Sequence, residues 1–133
     1  MSKKILIVDD DLDIQMLLEY GFKKAGYQIF IANNGHQALK TIRKVKPDLI
    51  ISDVNMPKLN GFELCQKLRE DFDTKFIPII LLTSNSQIQD KLMGFKSGAD
   101  DYITKPFDLL EILARVHSLL KIRESPALEA DID

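Results

Sequence analysis

Three short runs in this chain carry no polar alternation: Ile5–Val8, Leu49–Ser52 and Ile77–Leu82. A strand with one wet face alternates apolar and polar residues, so runs like these must be covered on both faces. Two more β-rich runs lie at Gln28–Ala32 and Tyr102–Thr104. Between the runs, apolar residues recur at helical spacing. The stripes are Ile14, Leu17, Leu18, Phe22 and Ala25; then Ala38, Leu39, Ile42 and Val45; then Leu64, Cys65, Leu68 and Phe72. A fourth is Ile88, Leu92 and Phe95, and a fifth is Leu109, Ile112, Leu113, Val116, Leu119 and Leu120. Gly26, Asn33-Asn34-Gly35, Pro47 and Gly98 supply turn chemistry at the boundaries. Five strands alternating with five helices predict an α/β domain, a doubly wound parallel sheet with helices on both faces. Right-handed crossovers leave few topologies for it.

A length of 133 residues suits one domain that can bury its own core. The net charge of -2, with acids and bases interspersed, lacks the basic footprint of a nucleic-acid-binding domain. With Cys65 as the single cysteine, no internal disulfide can form. The apolar runs are too short for a membrane span or a secretion signal. The expectation is a soluble cytoplasmic protein. From about Arg123 the periodicity stops and the chain turns acidic, so 1–122 is expected as the domain and 123–133 as a tail or the start of a linker.

In a parallel sheet, ligands bind beyond the carboxyl ends of the strands. Asp9, Asp10 and Asp11 follow the first run, Asp53 ends the third, Thr83 and Ser84 follow the fourth, and Lys105 follows the fifth. Carboxylates crowded on one rim repel one another and raise one another's pKa values. A hard divalent cation relieves that, and an oxygen-only donor set favours Mg²⁺ or Mn²⁺ over zinc. Lys105 adds a positive charge and Thr83 a hydroxyl donor. Phosphoryl transfer needs mainly positioning and charge neutralisation. Asp53, between the other acids and the lysine, is the nucleophile candidate.

Taken singly, each residue has a plainer reading. Asp11 fits an N-cap for the first helix better than a ligand. Asp9 and Asp10 fit turn acids, Thr83 and Ser84 the start of a helix, and Lys105 a solvated charge. Tyr102 and Cys65 fit core packing, Gly61 a helix start, and His36 and His117 the surface. It is the joint placement on one rim that favours chemistry.

Four pieces, in order and at matching spacing, resemble the receiver domain of two-component response regulators. They are Ile5-Leu6-Ile7-Val8-Asp9-Asp10-Asp11, Asp53-Val54-Asn55-Met56-Pro57 with Gly61, Leu82-Thr83-Ser84, and Gly98 through Phe107. The resemblance covers about residues 3 to 122. It implies a flavodoxin-like sheet of order 2-1-3-4-5. It also implies that Asp53 takes phosphate from a phosphohistidine on a sensor histidine kinase or phosphotransfer protein. Asp10, Asp53 and the main-chain carbonyl of Asn55 would hold Mg²⁺, with Asp9 acting through water. Lys105 would contact the acyl phosphate, after a cis Lys105–Pro106 bond. Thr83 would move to the phosphoryl oxygen, and Tyr102 would swing inward behind it. Asn55 and Asn85 fall at the positions that tune phosphate lifetime, and Ser84 stands where another small residue is usual.

The resemblance is strongest to receivers of winged-helix transcription factors. In those, the fourth helix, fifth strand and fifth helix form a dimer face. Here Lys91, Leu92, Phe95, Asp101, Glu111, Leu113 and Arg115 would supply it, while Lys96 and His117 depart from the usual acid and base. The reading is therefore a phosphoacceptor switch, with a phosphorylation-favoured homodimer and no membrane or direct nucleic-acid contact. Its rivals are a Mg²⁺-dependent phosphatase with an aspartate nucleophile, a flavin module of the same strand order, and a receiver used only for docking.

Overall fold

A computed structural model describes residues 2–84 and 88–123, without the side chains of 88–90, 122 and 123. Asn85 and the tail from 124 on lie outside the described residues. The strands are β1 (Lys4–Val8), β2 (Gln28–Ala32), β3 (Leu49–Asp53), β4 (Ile79–Thr83) and β5 (Asp101–Thr104). The helices are α1 (Leu12–Lys24), α2 (Gly35–Val45), α3 (Gly61–Glu70), α4 (Ile88–Lys96) and α5 (Leu109–Arg123). The sheet runs β2-β1-β3-β4-β5 with every pair parallel, which is the expected doubly wound order.

The uninterrupted apolar runs became the covered strands. Every residue of β3 and β4 is buried, and the edge strand β2 is only partly so. Successive side chains point to opposite faces, so the sheet divides the core in two. Leu6, Val8, Ile50 and Leu81 pack with Ala38, Ile42, Leu64 and Leu68 on one face. Ile5, Ile7, Ile51 and Leu82 pack with Leu18, Phe22, Ile112 and Val116 on the other. Each Val, Leu, Ile or Phe side chain among them contributes roughly 1.5–3 kcal/mol by leaving water.

Helix starts follow capping chemistry. The Asp11 carboxylate accepts from the amides of Asp13 (2.9 Å) and Ile14 (3.4 Å), which bears out its reading as an N-cap. Asn60 and Glu63 form a reciprocal capping box at α3, with bonds of 2.9 and 3.0 Å.

Three sequence expectations need correction. β4 begins at Ile79, two residues late, because Pro78 has no N–H to give the ladder; its carbonyl still accepts from Ile50 N at 2.9 Å. Phe72 is not on the α3 stripe: the helix stops at Glu70, and Phe72 stands 78% exposed in the turn that the Asp71 carboxylate makes with Asp73 N. Leu17 in α1 and Ala25 at its C-cap are exposed, while Gln15 and Gly21 share the inner face with Leu18 and Phe22. Leu92 and Phe95 point out of α4, as an exposed output face requires, and Gly94 faces the sheet.

Candidate functional site

The register of the sheet assembles the rim. Ser52 lies opposite Val8, Asp53 opposite Leu82, and Thr83 opposite Thr104. The residues that end or follow these strands therefore line one edge. Main-chain bonds continue past the strands and fix them there: Asp9 N to Ala32 O (3.1 Å), Val54 N to Leu82 O (2.9 Å) and Lys105 N to Thr83 O (2.6 Å). The Lys105–Pro106 peptide is cis, as expected.

At the centre, the Lys105 ammonium donates to Asp9 Oδ2 at 3.2 Å and to Asp53 Oδ1 at 3.3 Å. Asp9 is 1% exposed and Asp53 6%, and Thr83 is buried beside them. Asp10 is exposed, yet carboxylate oxygens of Asp9, Asp10 and Asp53 lie within 4.8 Å of one another. Three carboxylates against one ammonium leave two negative charges to neutralise. The donor set, all hard oxygen and short by two positive charges, fits Mg²⁺ or Mn²⁺.

Burial, the largest influence, holds the Asp53 carboxyl above the ordinary carboxylate range, and the charge on Asp9 adds to it. Lys105 and the Asn55 amide, which donates to the Asp53 carboxylate, pull the other way without prevailing. For Lys105, burial lowers the ammonium's pKa, but Asp53 and then Asp9 outweigh it, so the net shift is upward.

Several supporting residues were not legible in the sequence. Gln15 is buried, and its amide donates to the Asp9 carbonyl at 2.5 Å and to Asn33 Oδ1 at 2.7 Å. Its spacing from Leu18 and Phe22, three and seven residues, was the available signal. The Asp11 amide donates to Asp9 Oδ1 at 2.9 Å, so that carboxylate is held at both oxygens. Ser52 Oγ donates to the Asp53 carbonyl at 3.0 Å. Gly61 does more than start α3: a Cβ there would lie 2.6 Å from the Asp53 carbonyl oxygen.

Of the expected output residues, Leu92 (58% exposed), Phe95 (52%), Lys91, Glu111 and Arg115 are at the surface. Arg115 Nη1 reaches Asp101 Oδ2 of its own chain at 2.8 Å. Tyr102 is buried, with its ring directed inward. Cys65 is in the core, its thiol pushed up by burial, and His36 and His117 are exposed. Thr83 and Ser84 do not start a helix, since Thr83 ends β4 and α4 begins at Ile88. Among the described residues, no helix is long and apolar enough to cross a membrane.

Residues 5–117 match the family described as response regulator receiver domain. The chain is 43% identical over 132 residues to the alkaline phosphatase synthesis transcriptional regulatory protein PhoP of Bacillus subtilis, covering 99% of this chain and 54% of that protein. It is 48% identical over 118 residues to the DNA-binding dual master transcriptional regulator RpaA of Synechocystis, covering 89% and 49%. The chain thus spans about half the length of these curated relatives. Among solved structures, the receiver domain of the Francisella response regulator 1452 superposes with a TM-score of 0.86 at 35% identity, over 92% of this chain and 99% of that one. Chemotaxis protein CheY4 of Vibrio cholerae does so with a TM-score of 0.84 at 34% identity, over 90% and 99%.

Proposed function

The chain belongs to the response regulator receiver domain family, and on that premise we propose that it is a switch that accepts a phosphoryl group on Asp53. The observation that carries the reading is the Lys105 ammonium set between two buried carboxylates, in a pocket still short of two positive charges. The donor is a phosphohistidine on a sensor histidine kinase or a phosphotransfer protein. An Asp53 carboxylate oxygen attacks phosphorus in line with the P–N bond. As the P–O bond forms, the P–N bond breaks, and its electron pair stays on the imidazole nitrogen, which takes up a proton. Lys105 then turns its ammonium to the phosphoryl oxygens, and the Thr83 hydroxyl donates to one of them. Asp10, Asp53 and the Asn55 carbonyl are the residues to hold Mg²⁺ or Mn²⁺, with Asp9 acting through water. When bound, the ion neutralises charge on the transferring group.

The exposed apolar residues Leu12, Met16 and Tyr20 form a stripe along α1 that starts beside the acidic turn and offers the donor protein a landing surface. The output is a shift of the α4-β5-α5 face toward a symmetric dimer. It runs through Lys91, Leu92, Phe95, Asp101, Glu111, Leu113 and Arg115, with Asp101 and Arg115 exchanging their internal pair for one across the interface. Driving such an equilibrium from 1:99 to 99:1 takes about 5.5 kcal/mol. By likeness to PhoP and RpaA, this serves transcriptional control. The domain promotes its own phosphorylation and dephosphorylation without turning over an external substrate.

Intact mass after incubation with acetyl phosphate and Mg²⁺ tests the reading. The wild type gains one phosphoryl group and Asp53→Asn gains none. An equal gain in the variant, or no gain in the wild type, overturns it.

A further inference from the structure

Gly94 sits in the last turn of α4 and is buried, facing β5. Nothing in its backbone calls for glycine: its φ is not in the positive region, where Gly26 and Gly98 lie. Glycine at such a position weakens a helix relative to alanine. What explains it is the ring of Tyr102. A Cβ on residue 94 would come within 2.7 Å of Tyr102 Cδ2 and 3.2 Å of Cε2, with Leu81 Cδ1 next at 3.6 Å. Leu81 is fully buried in β4 and paired with Tyr102 across the sheet, so the ring is held between helix and sheet.

The helix has little room to yield. Its Gly94 carbonyl accepts from the buried Ser97 hydroxyl at 2.6 Å and from Ala99 N at 3.2 Å. The turn that follows is fastened by Arg69, which donates to Gly98 O at 2.8 Å, to Ile77 O at 2.7 Å and to Asp100 Oδ2 at 2.9 Å. A side chain at 94 would therefore displace the ring rather than the helix.

We infer that Gly94 is the positioning residue that admits the Tyr102 ring beneath α4, and that this bare patch of helix makes the α4 surface sensitive to events at Thr83. Thr83 and Tyr102 lie on the same face of the sheet, since Tyr102 pairs with Leu81 and Thr83 follows two residues on. The outer side of the same helical stretch carries the exposed Leu92, Met93 and Phe95. Ring position and outer surface are thus read by one short piece of helix. The second half of the inference, control of the outer surface, rests on the function proposed above; the first half does not.

A double-mutant cycle followed by thermal unfolding tests the first half without any phosphoryl donor. In the wild-type background Gly94→Ala lowers Tm, because the methyl group meets the ring. In a Tyr102→Ala background the same change raises Tm, because only the helix preference remains. A Gly94→Ala chain that folds only when the ring is absent supports the inference equally. A change of the same sign in both backgrounds, or failure to fold in both, overturns it.

The second half is read by sedimentation with beryllofluoride and Mg²⁺. With acetyl phosphate, Gly94→Ala still gains one phosphoryl group by intact mass, but with beryllofluoride it dimerises roughly tenfold or more weakly than wild type. Undiminished dimerisation of the variant overturns the coupling. If the wild type neither gains mass nor dimerises, the proposed function fails, while the unfolding cycle still decides the role of Gly94.

Discussion

The Lys105 ammonium stands almost equidistant from two buried carboxylates, 3.2 Å from Asp9 Oδ2 and 3.3 Å from Asp53 Oδ1. Its positive charge offsets the repulsion between the two carboxyl groups. Lys105→Met should cost roughly 3 kcal/mol in urea unfolding at neutral pH, since it strands like charges out of water. Millimolar Mg²⁺ should recover much of that loss by binding only the folded chain. A variant as stable as wild type without added metal would contradict this electrostatic account.

The upward shift of Asp53 sets a pH dependence. Burial, with the Asp9 charge behind it, makes the folded chain hold this proton more tightly than the unfolded chain, whose value is near 3.8. Stability contributed by Asp53 is therefore lost as pH rises from about 3.8 through the higher folded value. Without metal, Asp53→Asn should thus be more stable than wild type at neutral pH, by about 1–2 kcal/mol. The gap should close below the unfolded value. Melting curves across acid pH, with and without Mg²⁺, check both the sign and the closure.

Lys105 carries the matching dependence at the alkaline end. Its ammonium is favoured in the fold despite burial, because Asp53 and Asp9 outweigh it. That contribution is complete below about 10.5 and fades as pH climbs through the raised folded value. Wild type should lose stability there faster than Lys105→Met, in melts of the two proteins side by side.

Gly61 answers to backbone, not to a side chain that can rotate away. Alanine there would put its methyl 2.6 Å from the Asp53 carbonyl oxygen and 2.9 Å from Val54 Cα. The expected cost is about 2 kcal/mol, together with slower phosphorylation by acetyl phosphate as the nucleophile shifts. Unchanged rate and stability would show that the loop moves freely.

The Asp101–Arg115 pair separates folding from assembly. Arg115 is half exposed, so Asp101→Asn should change monomer stability by less than about 1 kcal/mol. If the pair is exchanged across the proposed interface, the same substitution should weaken beryllofluoride-induced dimerisation by roughly tenfold. Sedimentation equilibrium distinguishes this from an interface elsewhere, for which association would be unaltered.

How much of this could be read from residues alone differs by element. β1, β3 and β4 announced themselves because full coverage leaves no reason for polar alternation, and their ends then placed Asp9, Asp53 and Thr83 on one rim, which Lys105 joins from the end of β5. α4 was legible only on its outer side, where Leu92 and Phe95 fit helical spacing and stand exposed, as the output-face reading expects. Periodicity marks an apolar face without saying whether the protein itself covers it. The side that does pack holds Gly94, which has no side chain to contribute to any pattern. Gln15 escaped for the opposite reason: a polar residue in an inner position looks like noise until its two acceptors are located. That Lys105 bridges Asp9 and Asp53 required distances between residues far apart in the chain.

The Gln15 amide reaches beyond the pocket. By gripping the Asp9 carbonyl and the Asn33 side chain together, it welds the acidic turn to the loop beyond the edge strand β2. A tug on Asp9 must then be felt at the sheet's far margin, away from α4. The amide resonances of Asn33 and Asn34 would serve as a built-in gauge of whether the pocket is filled, whatever the opposite margin is doing.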